Sequence, residues 1–207
     1  MKKGIILFDI DRTIFDTDKM SNMFNDLMLN ILGNPDINKF HKTKENYTNT
    51  LKRDREFVPE DSCKNLANKF NINKYQDLVD VFYAPEYAYI YKVNVYKEVL
   101  NVLETLKDKY RIGIYSEGTE KFQNHKFRSL GLNKYLDKDL VFIVDAKDTR
   151  EVLNTIPKDA IIVDDKETIC EFLTNNGIKA IWLNRKDDRK SDKFETIYSL
   201  FELPVIL

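Results

Sequence analysis

The sequence predicts an α/β protein with a doubly wound, Rossmann-like parallel sheet and an inserted all-helical segment, and three observations carry that prediction. Short β-branched apolar runs recur at 4–8, 111–115, 140–144, 160–163 and 180–183. Apart from Arg111 at the start of the second, the runs are apolar throughout rather than alternating, as strands buried on both faces are. Helix-period segments separate the later runs, which is the alternation that produces right-handed crossovers and helices on both faces of a parallel sheet. Residues 18–94 show helical periodicity without strand-like alternation, so 1–17 and 95–207 are assigned to the core and 18–94 to a helical insertion.

In chain order, Gly-Ile-Ile-Leu-Phe at 4–8 makes the first strand, stopped by the charged stretch Asp9-Ile10-Asp11-Arg12. Within the insertion, Met20, Met23, Phe24, Leu27, Met28, Ile31 and Leu32 repeat at helical spacing and end at Gly33-Asn34-Pro35. Segments 59–70 and 74–82 read the same way, with Asp61 or Ser62 as the cap of the former. The core resumes with a helix over 97–107, whose Val99, Leu100, Leu103 and Leu106 share a face. Helices over 120–130, 148–153 and 166–176 then alternate with the strands, the last stopped by Gly177.

Composition narrows the function. The 207 residues hold 33 Lys+Arg against 34 Asp+Glu, a net charge of −1 with no basic stripe, which argues against a nucleic-acid partner. The longest apolar run, 4–8, is far short of the roughly 20 residues a membrane helix needs, and no signal-peptide pattern follows Met1-Lys2-Lys3, so a cytoplasmic protein is expected. Cys63 and Cys170 lie too far apart for a disulfide framework or metal-ligand spacing and read as reduced structural thiols.

Ligands of open parallel sheets bind beyond the carboxyl ends of the strands. Those ends carry one chemical theme: Asp9, Asp11 and Thr13 after the first strand, Ser116, Glu117 and Gly118 after the second, Lys147 after the third, and Asp164 with Asp165 after the fourth. Oxygen ligands suit a hard cation such as Mg²⁺, held by carboxylates, water and a substrate phosphate. Acids at i and i+2 can divide the work of nucleophile and acid/base, while a serine, backbone amides and a lysine grip the phosphoryl oxygens. A small phosphorylated substrate is therefore expected.

The segment ILFDIDRTIFDT resembles the first motif of the haloacid dehalogenase-like superfamily, IYSEG its second, Lys147 in DAKDTREVL its third and IIVDDKETI its fourth. The resemblance covers the whole core, and the insertion follows the first motif where that superfamily carries a helical cap. It implies Asp9 as the nucleophile that forms an aspartyl-phosphate, Asp11 as the acid and then base, and Thr13 as support for the turn that positions Asp11. Ser116, Glu117 and Gly118 would bind the phosphoryl group, and Lys147 would pair with Asp9. Mg²⁺ would be held by Asp9, the main-chain carbonyl of Asp11, Asp164 and Asp165. The retained Asp11 favours phosphate chemistry over dehalogenation, with a phosphotransferase or mutase, or a non-catalytic phosphate-binding module, as alternatives. Arg12 stands where the family most often has glycine, and no proline follows Lys147, which is kept as the motif lysine with Lys121 or Lys126 as the fallback.

Tyr83, Tyr87, Tyr89 and Tyr91 read as packing before pocket lining. His41 and His125 are too isolated for a zinc site. Lys52-Arg53-Asp54-Arg55 reads as a solvated basic face, and a monomer or homodimer is expected.

Overall fold

The computed structural model describes residues 4–51 and 56–207, so the basic stretch 52–55 lies outside the described residues. Six parallel strands form one sheet in the order β3-β2-β1-β4-β5-β6. They are β1 (Gly4–Phe8), β2 (Tyr110–Glu117), β3 (Val141–Val144), β4 (Ala160–Asp164), β5 (Lys179–Leu183) and β6 (Glu195–Ile197). After β3 the chain returns across β1 to lay β4 on its other side. That reversal leaves a crevice at the carboxyl ends of β1 and β4, where open α/β sheets bind their ligands.

Both faces of the sheet are covered. Ile6, Phe8, Ile112, Ile114, Val163 and Ile181 enter one apolar cluster, while their neighbours Leu7, Tyr115, Ile162 and Trp182 enter the opposite one. Successive side chains of a strand point to opposite faces, so a strand buried on both sides has no polar positions to alternate with. Gly113 sits where β2 runs closest to its surroundings: a Cβ there would meet the Leu140 carbonyl oxygen at 2.2 Å and a Leu7 methyl at 2.7 Å.

Five α-helices occupy the insertion among the described residues: α1 (Thr17–Ile31), α2 (Ile37–Thr50), α3 (Pro59–Phe70), α4 (Tyr75–Tyr83) and α5 (Ala88–Val93). In the core follow α6 (Val99–Leu106), α7 (Glu120–Ser129), α8 (Arg150–Leu153), α9 (Glu167–Asn175) and α10 (Leu203–Ile206). Phe57, Phe82 and Tyr83 of the insertion meet Phe122 and His125 of α7 through ring contacts 5.2 to 6.3 Å apart, and Phe24 packs on Phe82 at 5.0 Å. Tyr91 is fully buried and donates its hydroxyl hydrogen to the Phe82 carbonyl at 2.8 Å, so it packs rather than binds.

Local chemistry departs from the sequence expectation at three places. The cap of α3 is not Asp61 or Ser62: Val58 holds the capping position and Pro59 opens the helix, its fixed φ being preorganised for the first turn. The strand β2 runs through Ser116 and Glu117 because β3 pairs with both, so these residues lie within the sheet rather than after it. The edge strand β6 pairs only with β5 and has no apolar run to announce it.

Candidate active site

The backbone delivers Asp9 directly in line with β1, its N–H donating to the Val163 carbonyl of β4 at 2.9 Å. The chain then turns tightly, with Ile14 N–H bonded to Ile10 O and Arg12 N–H to Phe15 O. Arg12 takes a left-handed φ of 58°, which costs a side-chained residue roughly 1–2 kcal/mol. Arg185 steadies this turn: Nε donates to the Arg12 carbonyl at 3.2 Å, Nη2 to that of Thr13 at 3.1 Å, and its guanidinium stacks 3.9 Å from the Tyr96 ring centre. The Arg12 side chain turns outward and pairs with Asp18 at 2.6 Å.

Lys147 stands at the centre of the site. Its ammonium, 1% exposed, donates to Asp9 Oδ1 at 2.5 Å and to Asp164 Oδ2 at 2.6 Å, joining the ends of β1 and β4. The short loop that carries it is pinned by β2: the Tyr115 hydroxyl donates to the Lys147 carbonyl at 3.0 Å, and Glu117 accepts from its backbone N–H at 3.0 Å. Ser116 donates its hydroxyl hydrogen to Asp9 Oδ1 at 3.2 Å. Exposed Lys121 pairs instead with half-buried Glu60, and Lys126 lies elsewhere, so Lys147 holds the position beside Asp9.

Carboxylate oxygens of Asp9, Asp164 and Asp165 lie within 4.8 Å of one another. Among the described residues Lys147 is the one ammonium in contact with this trio, leaving an excess of negative charge. Burial raises the pKa of Asp9, the Lys147 charge opposes that rise, and the neighbouring Asp164 adds to it. Burial and the Asp164 charge raise Asp165 as well. Lys147 is pushed upward against its own burial by the two carboxylates it touches. An all-oxygen set with unbalanced negative charge fits a hard divalent cation. Asp164 also accepts from the Lys166 N–H at 2.9 Å, so helix-entry bonding and a place in the trio coexist in one side chain.

Asp11 points away from the trio. It accepts the Thr17 hydroxyl at 2.6 Å, the Gln123 amide at 3.2 Å and the Lys126 ammonium at 2.8 Å on each oxygen. Burial alone would raise its pKa, but the Lys126 charge and these hydrogen bonds prevail and lower it to about 2. Lys126 and Gln123 are the residues that sequence reading missed in this role. Both are buried polar residues on the inner side of α7 beside buried Phe122, and polar groups on a buried helix face were the available signal.

Three implied roles need correction. Thr13 does not support the turn of Asp11 through its hydroxyl, which is buried without a partner among the described residues; Thr17 performs that task. Buried so, Thr13 also presents nothing to a substrate. The Gly118 N–H is spent on the Val144 carbonyl at 3.0 Å, so this amide is unavailable to a phosphoryl group. Its glycine is needed because φ is 143° and a Cβ would approach the Gln123 amide nitrogen to 2.6 Å. Glu117 holds the loops in place, accepting from Lys166 Nζ at 3.0 Å as well as from the Lys147 backbone.

Beside Asp11 opens a cavity of about 370 Å³ between the insertion and the sheet, walled by Phe24, Phe57, Phe82 and Phe122 with Lys44. The Lys44 ammonium donates to Asn25, and burial lowers its pKa to about 8.

A six-stranded parallel sheet with an aspartate pair after its first strand and a lysine-linked acidic trio at its switch point defines a doubly wound α/β protein with a candidate active site at the carboxyl edge of its sheet. The chain belongs to the haloacid dehalogenase-like hydrolase family, whose sequence profile matches residues 6–183. Among solved structures it is similar to a magnesium-bound HAD-hydrolase, YfnB of Bacillus subtilis, at 17% identity over 100% of this chain and 99% of that one, TM-score 0.70. A haloacid dehalogenase-like hydrolase of Burkholderia xenovorans superposes with TM-score 0.72 at 18% identity, covering 98% of this chain and 95% of that one. The L-2-haloacid dehalogenase RSc1362 matches at 16% identity over 100% and 99%, TM-score 0.59. No curated protein sequence matches the chain. No described helix is long and apolar enough to cross a membrane.

Proposed function

We propose that the protein is a Mg²⁺-dependent phosphohydrolase of a small phosphorylated metabolite, working through an aspartyl-phosphate on Asp9. The observation that carries this reading is the pairing of Asp9, fixed between Lys147 and Ser116 beside Asp164 and Asp165, with a second carboxylate, Asp11, two residues on. A Mg²⁺ held by Asp9, Asp164 and Asp165 would offset their charge and that of a phosphoryl group. The Asp9 carboxylate would attack phosphorus and the bond to the leaving oxygen would break, with Asp11 placing a proton on that oxygen. Asp11 would then take a proton from the water that hydrolyses the aspartyl-phosphate, releasing inorganic phosphate and restoring Asp9.

Held on Lys126, Asp11 is the carboxylate, the form suited to the water step. The negative charge that a phosphoryl group brings beside Asp11 favours uptake of the proton its leaving oxygen needs, while Lys126 keeps the carboxyl group in place. The insertion would act as a cap, supplying that cavity and excluding water.

The test is hydrolysis of p-nitrophenyl phosphate with and without Mg²⁺, beside halide release from 2-chloropropionate. Hydrolysis only with Mg²⁺ and no halide release are expected. Asp9→Asn should lose on the order of 10⁴ to 10⁶ in kcat, as removal of a covalent nucleophile does elsewhere, with an unchanged circular dichroism spectrum. Halide release without phosphate release would reject the reading.

A further inference from the structure

The ammonium of Lys126 is buried, its side chain 3% exposed, on the inner face of α7 over the Phe122 ring. Burying a lysine is costly unless a partner compensates it, and among the described residues its carboxylate partner is Asp11 alone. The two oxygens of Asp11 are both engaged by Nζ at 2.8 Å, while Gln123, one turn earlier on the same helix, and Thr17, the first residue of α1, complete the grip. Three donors thus converge on one carboxylate from the core helix and from the first helix of the insertion. All four residues line the cavity beside the reaction centre. Lys147, not Lys126, serves Asp9, so Lys126 has no share in holding the nucleophile.

We propose that Lys126, assisted by Gln123 and Thr17, is a positioning residue for Asp11, setting where its carboxyl group stands relative to the leaving oxygen. This rests on the phosphohydrolase reading, in which Asp11 handles that proton. Lys126 touches neither the phosphoryl group nor the nucleophile; it acts through Asp11. A general acid held out of place harms most the substrates whose leaving group cannot depart without a proton.

The experiment compares Lys126→Met and Lys126→Arg with the wild type on p-nitrophenyl phosphate, phenyl phosphate and an alkyl phosphate such as glycerol phosphate, all with Mg²⁺. The expected result for Lys126→Met is a fall in kcat that steepens with leaving-group basicity, reaching roughly 10²-fold or more on the alkyl ester. The loss on p-nitrophenyl phosphate should be much smaller and KM nearly constant, and Lys126→Arg should recover part of the alkyl rate. Gln123→Leu should give the same trend at smaller amplitude, and it carries the test if Lys126→Met fails to fold. An equal loss on all three esters marks a purely structural role and overturns the proposal while leaving the phosphohydrolase reading intact. A wild type inactive on every ester with Mg²⁺ overturns both.

Discussion

Two buried lysines each hold an aspartate of the same short segment, and they do it in opposite ways. Lys147 reaches from the loop after β3 to Asp9 and Asp164, both at the ends of adjacent strands, so its partners are held by the sheet ladder itself. Lys126 reaches from α7 to Asp11, which lies in a turn and takes its remaining donors from Gln123 and from Thr17 of α1. The electrostatic outcome is reversed. Burial raises the pKa of Asp9, and an ammonium shared with a second buried carboxylate does not reverse that rise; at Asp11 the Lys126 charge, with the hydrogen bonds from Lys126, Thr17 and Gln123, outweighs burial and the pKa falls to about 2. A lysine stabilises the charge of a carboxylate only as far as other acids do not claim it first.

The largest test of that contrast is Lys147→Met. It leaves Asp9, Asp164 and Asp165 facing one another with no ammonium, and losing one partner of a buried pair costs about 3–5 kcal/mol. The urea midpoint should fall accordingly and be partly restored by Mg²⁺. A midpoint unchanged without Mg²⁺ would show that the trio does not need Lys147.

Next in size is the acid limb of stability. A carboxylate whose folded pKa lies below its ordinary value contributes stability above that ordinary value and loses it as pH falls through the folded one. For Asp11, lowered from 3.8 to about 2, this window lies between those values. The contribution is on the order of 2 kcal/mol, since each pKa unit corresponds to about 1.4 kcal/mol. Lys126→Met should therefore be less stable at neutral pH and flatter across that acid window, measured by thermal unfolding at a series of pH values. A wild-type acid limb in the variant would break the contrast between the lysines.

The smallest effect is expected at Arg12→Gly, in the turn between the two lysine sites. Relief of the left-handed φ gains roughly 1 kcal/mol, offset by glycine's greater freedom in the unfolded chain and by the exposed pair with Asp18, worth about 0.2–1 kcal/mol. Urea denaturation should show a net change below about 1 kcal/mol. A larger loss would mean that the Arg12 side chain, not Arg185, secures the turn.

Five of the six strands were legible as short apolar runs, which the helices on both faces of the sheet bury in β1, β2, β4 and β5 and half-bury in β3. The sixth, β6, escaped notice because Glu195 and Thr196 carry no such run; pairing with β5 makes it a strand. Helix α2 escaped for a similar reason, since only Phe40 and Thr43 of its fourteen residues are buried. In the site, Asp9, Lys147, Asp164 and Asp165 could be picked out as polar residues at strand ends, and Ser116 likewise, although it proved to lie within β2. Thr13 and Gly118 were misjudged because a residue's type does not reveal whether its hydroxyl faces a closed interior or its N–H is already spent on the sheet.

The sequence by itself determined five strands of the sheet, a helical stretch between the first two of them and the gathering of acids at one edge. These follow from local apolar runs, helical periodicity and the rule that strand ends converge at a switch point. Only the tertiary structure decided which lysine serves which aspartate. Lys126 and Lys147 are equally charged, and the sequence offered Lys147 for Asp9 with Lys126 only as a substitute and no partner of its own. Their partners were assigned by where α7 and the loop after β3 pack, because an ion pair depends on a few ångströms of separation that spacing along the chain does not encode.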